Sequence, residues 1–194
     1  MTTTKNNDSE FVGQKIKGIC FSSSELRGIE FYNSLFINCN FSDIDLADCK
    51  FYEVTFENCN FANAKFSSTQ FRDTIFAGCK LIGVGISNAN FAFSAHFNDC
   101  DLRYSEFIDV NFKGKQITSS NCNNARFLNC NFRDASLTES SFRETLFNNC
   151  DFQNTDFTGA EHLFLNPSEN RVKNTSIDII TAGNILNYYG FNVV

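Results

Sequence analysis

Chemistry in this chain would have to come from its nine cysteines, its two histidines or its 22 carboxylates. Cys39, Cys59, Cys79 and Cys100 recur at intervals of twenty or twenty-one residues. In a fold that stacks one turn on the next, that interval lines up four thiols, soft enough to ligate a metal and close enough to pair as disulfides. The same slot elsewhere in the chain holds Ala, Ser, Thr or Val just as readily, which points instead to small buried side chains, a part that free Cys commonly plays. The expectation is no disulfide, no metal and no other cofactor. His96 and His162 stand far apart in sequence, and neither zinc-ligand spacing nor a Gly-rich phosphate loop accompanies them. No enzyme is expected.

The carboxylates outnumber the cations. Net charge is −6 and the isoelectric point near 4.9, which argues against a basic surface that embraces nucleic acid and is compatible with a basic partner. Hydrophobic residues make up 42% and charged residues 20%, so a compact buried core is affordable to the chain and a disordered one is not expected. The start, Met1 to Glu10, has no apolar stretch of signal-peptide type, and no run is long enough to cross a membrane as a helix. With an odd number of cysteines, the reading is a cytoplasmic protein with reduced thiols, no membrane contact and no direct contact with nucleic acid.

What positions these residues is a period of five. Large apolar residues stand at 11, 16, 21 and every fifth position to 91, then, after one extra residue within 92–96, at 97, 102 and every fifth position to 157; Cys122 fills one of these places. Of the 24 Phe, all but Phe93, Phe164 and Phe191 occupy this centre. Two residues earlier comes a small or β-branched slot, as in Cys39, Val54, Ala64 and Thr74, and the other three places are mainly polar. Neither the 3.6-residue helix nor the two-residue strand makes positions five apart equivalent; a coil that bends once per repeat does.

The units Cys39-Asn40-Phe41, Cys59-Asn60-Phe61 and Cys130-Asn131-Phe132 resemble the pentapeptide-repeat family. That resemblance implies an all-β solenoid, a right-handed quadrilateral β-helix with four repeats per coil. Thirty repeats then make about 7.5 coils and a rod about 36 Å long at one strand spacing per coil. The expected organisation is a disordered tail at 1–8, a β-helix at 9–160, and a C-terminal cap and dimerisation helix at 161–194. One column of the coil would hold Phe11, Phe31, Phe51, Phe71, Phe91, Phe112, Phe132 and Phe152 as an unbroken ring stack. Gln14 and Lys115 place long polar side chains in the small slot; for Lys115, which follows Gly114, a local bulge is expected, with Lys113 beside it. The insertion at 92–96 is expected to turn Phe93 or His96 outward.

After Phe157 the period stops. Thr175-Ser176 offers a helix cap, and Ile177, Ile180, Ile185, Leu186 and Tyr189 recur on one face of a helix near 177–189 that Gly190 would end. So short a helix needs tertiary support. With Phe191 and Val193 its apolar residues would form the interface of a homodimer.

The opening Phe11-Val-Gly-Gln-Lys-Ile16 and the ending Asn184 to Val194 resemble the quinolone-resistance (Qnr) branch of the family, and Glu161 to Arg171 is similar to the microcin B immunity protein. The resemblance implies a partner, a type II topoisomerase (DNA gyrase or topoisomerase IV), bound by mimicry of DNA and protected from a quinolone or a peptide toxin. The residues that would meet it are Glu30, Asp43, Asp45, Asp48, Glu53, Asp73, Asp99, Asp101, Glu106, Asp109, Asp134 and Asp151. Over 11–157, however, 17 acidic residues face 13 basic ones, much sparser than one charge per about 1.7 Å of duplex. The projecting loops of many Qnr proteins are also missing from this repeat pattern. The alternative reading is a non-enzymatic scaffold or protein-interaction module with no topoisomerase role.

Overall fold

A computed structural model of the chain describes residues 10–21, 26–87 and 93–193. They form a parallel β-solenoid with four faces and one C-terminal helix. Strands of three residues, such as Glu30–Tyr32 and Leu35–Ile37, each carry one centre residue inward and pair with the strand of the next coil, twenty residues on: Phe11↔Phe31↔Phe51↔Phe71 and Ile16↔Phe36↔Phe56↔Phe76. The third face is joined by single bridges, Cys20↔Asn40↔Asn60↔Lys80↔Asp101↔Asn121↔Ser141↔Glu161, and the fourth by Ile86↔Phe107↔Phe127↔Phe147.

The bend after each strand requires a left-handed backbone at the second residue past the centre. Asn33, Asn38, Asp43, Asp48, Glu53 and Asn58 hold φ between 48° and 64° there. Asn and Asp visit this region at less cost than other residues with a Cβ, which is why the repeat favours them at the corners. Backbone groups are then consumed between coils, as where the Asp43 amide donates to the Ala62 carbonyl at 2.9 Å and the Lys65 amide to the Ile44 carbonyl at 2.9 Å.

Centre residues fill the interior. Phe36, Phe41, Phe51, Phe56 and Phe61 are fully enclosed, stacked along the axis (Phe41 on Phe61 at 4.6 Å) and edge to face around each coil (Phe56 to Phe61, 4.9 Å and 89°). The small slot does more than save space. Cys59 Sγ accepts the Cys39 amide (3.4 Å), Cys79 Sγ the Cys59 amide (3.4 Å), and Ser120 Oγ the Cys100 amide (3.0 Å). Thr74, Ser140 and Thr155 hydroxyls donate to the carbonyls of Phe51, Ile117 and Phe132 one coil back. A hydroxyl or thiol in this slot therefore satisfies corner groups that the strand ladder leaves over. All nine cysteines are free thiols; eight are buried and Cys20 is exposed.

Two expectations are corrected at the irregular coil. Phe93, not Phe91, stands opposite Phe71, and its ring points inward at 9% exposure; Phe91 lies outside the described residues. Phe97 then follows Phe93 by four positions instead of five, so strand Phe93–Asn98 passes through a corner without the usual left-handed turn residue. The ring column is also not an unbroken stack. It is parallel from Phe11 to Phe71 and from Phe112 to Phe152, but Phe93 meets Phe71 and Phe112 edge-on, at 72° and 79°. His96 is the residue that faces outward, half-buried. Around Lys115 the ladder is regular rather than bulged: Gly114 at φ 65° donates to the Arg133 carbonyl at 2.9 Å, and the Ser136 amide to the Lys115 carbonyl at 2.9 Å.

The coil also runs on past 160. After an excursion at 162–168, Asn170 enters the small slot, where its side chain accepts the Cys150 amide (2.9 Å) and donates to the Phe147 carbonyl (3.0 Å). Arg171 and Ser176 bridge to Asp151 and Asp156. Helix α1 spans Ile179–Tyr188 and is capped by Asp178, whose carboxylate accepts the Thr181 amide at 2.7 Å, rather than by Thr175 or Ser176. No helix among the described residues is long and apolar enough to cross a membrane.

Candidate partner-binding surface

The twelve carboxylates singled out in the sequence do not gather at one place; the coil spreads them over four faces, and backbone geometry explains most of them. Asp43, Asp48, Glu53, Asp73, Asp99, Asp109 and Asp134 occupy the left-handed corner position. Asp45, Asp101 and Asp151 sit at the entry to a bend, where one carboxylate oxygen accepts the amide two residues on: Ala47 at 3.0 Å, Arg103 at 3.3 Å and Gln153 at 3.1 Å. Glu30 and Glu106 lie on strands. The turn chemistry of the repeat alone accounts for ten of the twelve.

Most are also engaged. Along the corner columns, Asp43, Asp109 and Asp134 accept from the amides of Asn63 (3.1 Å), Asn129 (3.0 Å) and Asn154 (2.9 Å) one coil on. Glu30 pairs with Lys50 at 2.7 Å, Asp101 with Arg103 at 2.7 Å, Glu106 with Arg126 at 2.9 Å and Asp48 with Arg27 at 3.6 Å. Hydrogen bonds from Lys50 and then Tyr32 hold the Glu30 carboxyl below its usual range, and the same contact pushes the Tyr32 hydroxyl up to about 12. Asp151 lies between Arg133 (3.9 Å) and Arg171 (3.7 Å). Glu53 and Asp99 alone of the twelve have no side-chain partner among the described residues. The surface is a lattice of ion pairs and Asn-bound carboxylates, with charged carboxylates standing separately at the corners, not a continuous anionic stripe.

A groove of about 500 Å³ opens where the 162–168 excursion leaves the coil, lined by Asn129, Asn149, Asp151, Ser168, Asn170 and Arg171 among others. It is shallow and polar, and no group of three metal-ligating side chains occurs among the described residues.

The helix presents two kinds of surface. Thr181 is buried, and Ile177 and Ile185 pack on the core of the same chain, so these two are largely withdrawn from the expected dimer face. Ile180, Leu186, Tyr189, Phe191 and Val193 remain exposed, together with Ile179 (85%) and Tyr188 (65%), which the sequence reading did not include. The helix end is tied to the excursion: the Tyr189 hydroxyl donates to Asn166 Oδ1 at 2.7 Å, and Phe164 meets Tyr188 at 4.6 Å.

Against known families, the profile described as "Pentapeptide repeat region" matches residues 49–127 and that described as "Pentapeptide repeats (8 copies)" matches 125–161. The chain belongs to the pentapeptide-repeat family. A third profile, "SV2A/B/C luminal domain", matches residues 5–85 of this pentapeptide-repeat protein. No curated protein matches it. Among solved structures it is similar to two trypsin-treated forms of QnrB1, a plasmid-mediated fluoroquinolone resistance protein. Both are 20% identical with a TM-score of 0.66; the matches cover 94% and 96% of this chain and 99% of each relative. Against full-length QnrB1 the identity is 19% and the TM-score 0.51, over 94% of this chain and 100% of the other. At such identity the likeness is one of fold.

Proposed function

We propose that this pentapeptide-repeat rod is a non-enzymatic protein that binds a type II topoisomerase, DNA gyrase or topoisomerase IV, and protects it from a quinolone or a peptide toxin. The observation that carries the reading is the match, over 94% and 96% of this chain and 99% of each relative, to a fluoroquinolone resistance protein. Physically, a topoisomerase holds DNA largely through phosphate contacts. Corner carboxylates spaced along a stiff rod meet the same basic surface at intervals. With so many of them already paired, shape contributes more than charge, and Glu53 and Asp99 are the carboxylates most available for a new partner. The exposed apolar side of α1 joins two copies as a homodimer, lengthening the rod to about 70 Å plus the helical junction.

The test is direct binding of purified protein to gyrase and to topoisomerase IV, with a DNA fragment as competitor. The reading expects binding that the DNA displaces and that Glu53→Gln with Asp99→Asn weakens. Absence of binding to either enzyme would favour the scaffold reading, which the internally paired carboxylates already fit.

A further inference from the structure

On the first face, the outward position just after each centre residue reads, from the fourth coil on, Arg72, Ser94, Lys113, Arg133, Gln153 and Lys173. Four cations and no carboxylate occupy it in a chain of net charge −6. All four cations are exposed. With one strand spacing per coil, about 4.8 Å, the cations stand about 10, 5 and 10 Å apart along the axis. Arg72 lies over the Tyr52 ring at 4.2 Å, which steadies its guanidinium without neutralising it. Lys113 and Lys173 have no ion pair among the described residues.

We propose that this column is a docking surface for an acidic segment of a partner protein, independent of the topoisomerase reading. One member of the column already shows what it accepts: Asp151 of the same face sits with one carboxylate oxygen 3.9 Å from Arg133, and 3.7 Å from Arg171 beside the column. Discrete carboxylates suit cations at these intervals. A nucleic-acid backbone suits them poorly, since its charges run without gaps, Asp134 and Asp151 border the column, and the negative charge of the whole chain repels a polyanion. From the fourth coil on, this face carries Arg72, Lys113, Arg133, Arg171 and Lys173 against Asp73, Asp134 and Asp151, so it is locally positive on a negative chain.

The test titrates the full chain with a short polyglutamate peptide and, separately, with a short DNA duplex at low and physiological salt. The column predicts saturable, salt-sensitive peptide binding that falls about tenfold or more in Lys113→Glu/Arg133→Glu/Lys173→Glu. A second variant with the same change in charge, Lys15→Glu/Lys17→Glu/Lys65→Glu, controls for net charge and should stay within about twofold of the parent. No peptide binding, equal loss in both variants, or tighter binding of the duplex than of the peptide would each overturn the proposal. Circular dichroism of both variants establishes that the coil is intact.

Discussion

Lys115 Nζ lies 3.9 Å from Asp73 Oδ1, across an intervening coil. That coil is the one in which Phe97 follows Phe93 by four positions instead of five, and its missing corner residue leaves the notch that the Lys115 side chain crosses. Ser94 Oγ donates to the same Asp73 oxygen at 2.9 Å, and His96 stands beside them with Nδ1 enclosed and unpaired. The two anomalies of the sequence, the irregular spacing at 92–96 and a lysine in a small slot, are therefore one structural feature. Inserting Gly after Ser94 to restore the corner should lower the melting temperature of the parent and do so much less in a Lys115→Ala background. Equal loss in both backgrounds, read by calorimetry, would separate the two anomalies again.

The same notch predicts a pH dependence. Burial, then the Lys115 ammonium, lowers the His96 pKa, with Asp73 opposing them. With the folded value below the unfolded value of about 6.5, the unfolded chain binds the extra proton first, so this group contributes stability above pH 6.5 that is lost as pH falls toward the folded value. Denaturant midpoints measured from pH 7.5 to 5 should decline, and His96→Gln should flatten the decline. An unchanged slope in the variant would remove His96 as its source.

Packing of the core is uniform enough to predict its response. Phe56 is fully enclosed and touches the rings of Phe36, Phe41, Phe51, Phe61 and Phe76 at centroid distances of 4.9 to 5.8 Å. Phe56→Ala should cost about 3–5 kcal/mol and Phe56→Leu clearly less, in guanidinium unfolding.

Thiol chemistry separates one cysteine from eight. Cys20 is exposed, whereas burial pushes the Cys100 thiol up to about 12 and raises Cys39 and Cys49 as well. At pH 8 a thiol reagent should modify one cysteine rapidly in the native protein and the remaining eight only after unfolding.

Leu186→Lys with Phe191→Lys should give monomers in light scattering with the coil intact, whereas Ile185→Lys should also destabilise the fold, since Ile185 packs inward. A dimer that survives the first pair of changes would sink the helical interface.

The five-residue period made nearly all of the coil legible, because each repeat solves the same local problem: one large residue inward, one small residue in the slot, one left-handed corner. What stayed hidden depends on contacts between coils. Phe93 displaces Phe91 as the residue opposite Phe71 only because the strand pairing shifts there, and Lys115 is accommodated only by an absence in the preceding coil. Asn170 continues the slot beyond an excursion that interrupts the period, and Asp178 rather than a hydroxyl caps the helix. For the candidate surface, sequence identified the carboxylates but could not reveal that Asn63, Asn129 and Asn154, one coil on, already bind three of them.

Topoisomerase protection is tested by gyrase-mediated DNA cleavage, with the protein titrated against a fixed amount of quinolone and, in parallel, of a microcin-type poison. Poison-dependent cleavage should fall with rising protein while the same preparation stays folded. Cleavage and supercoiling that are both indifferent to a folded rod at every concentration would contradict it and leave the scaffold reading in its place.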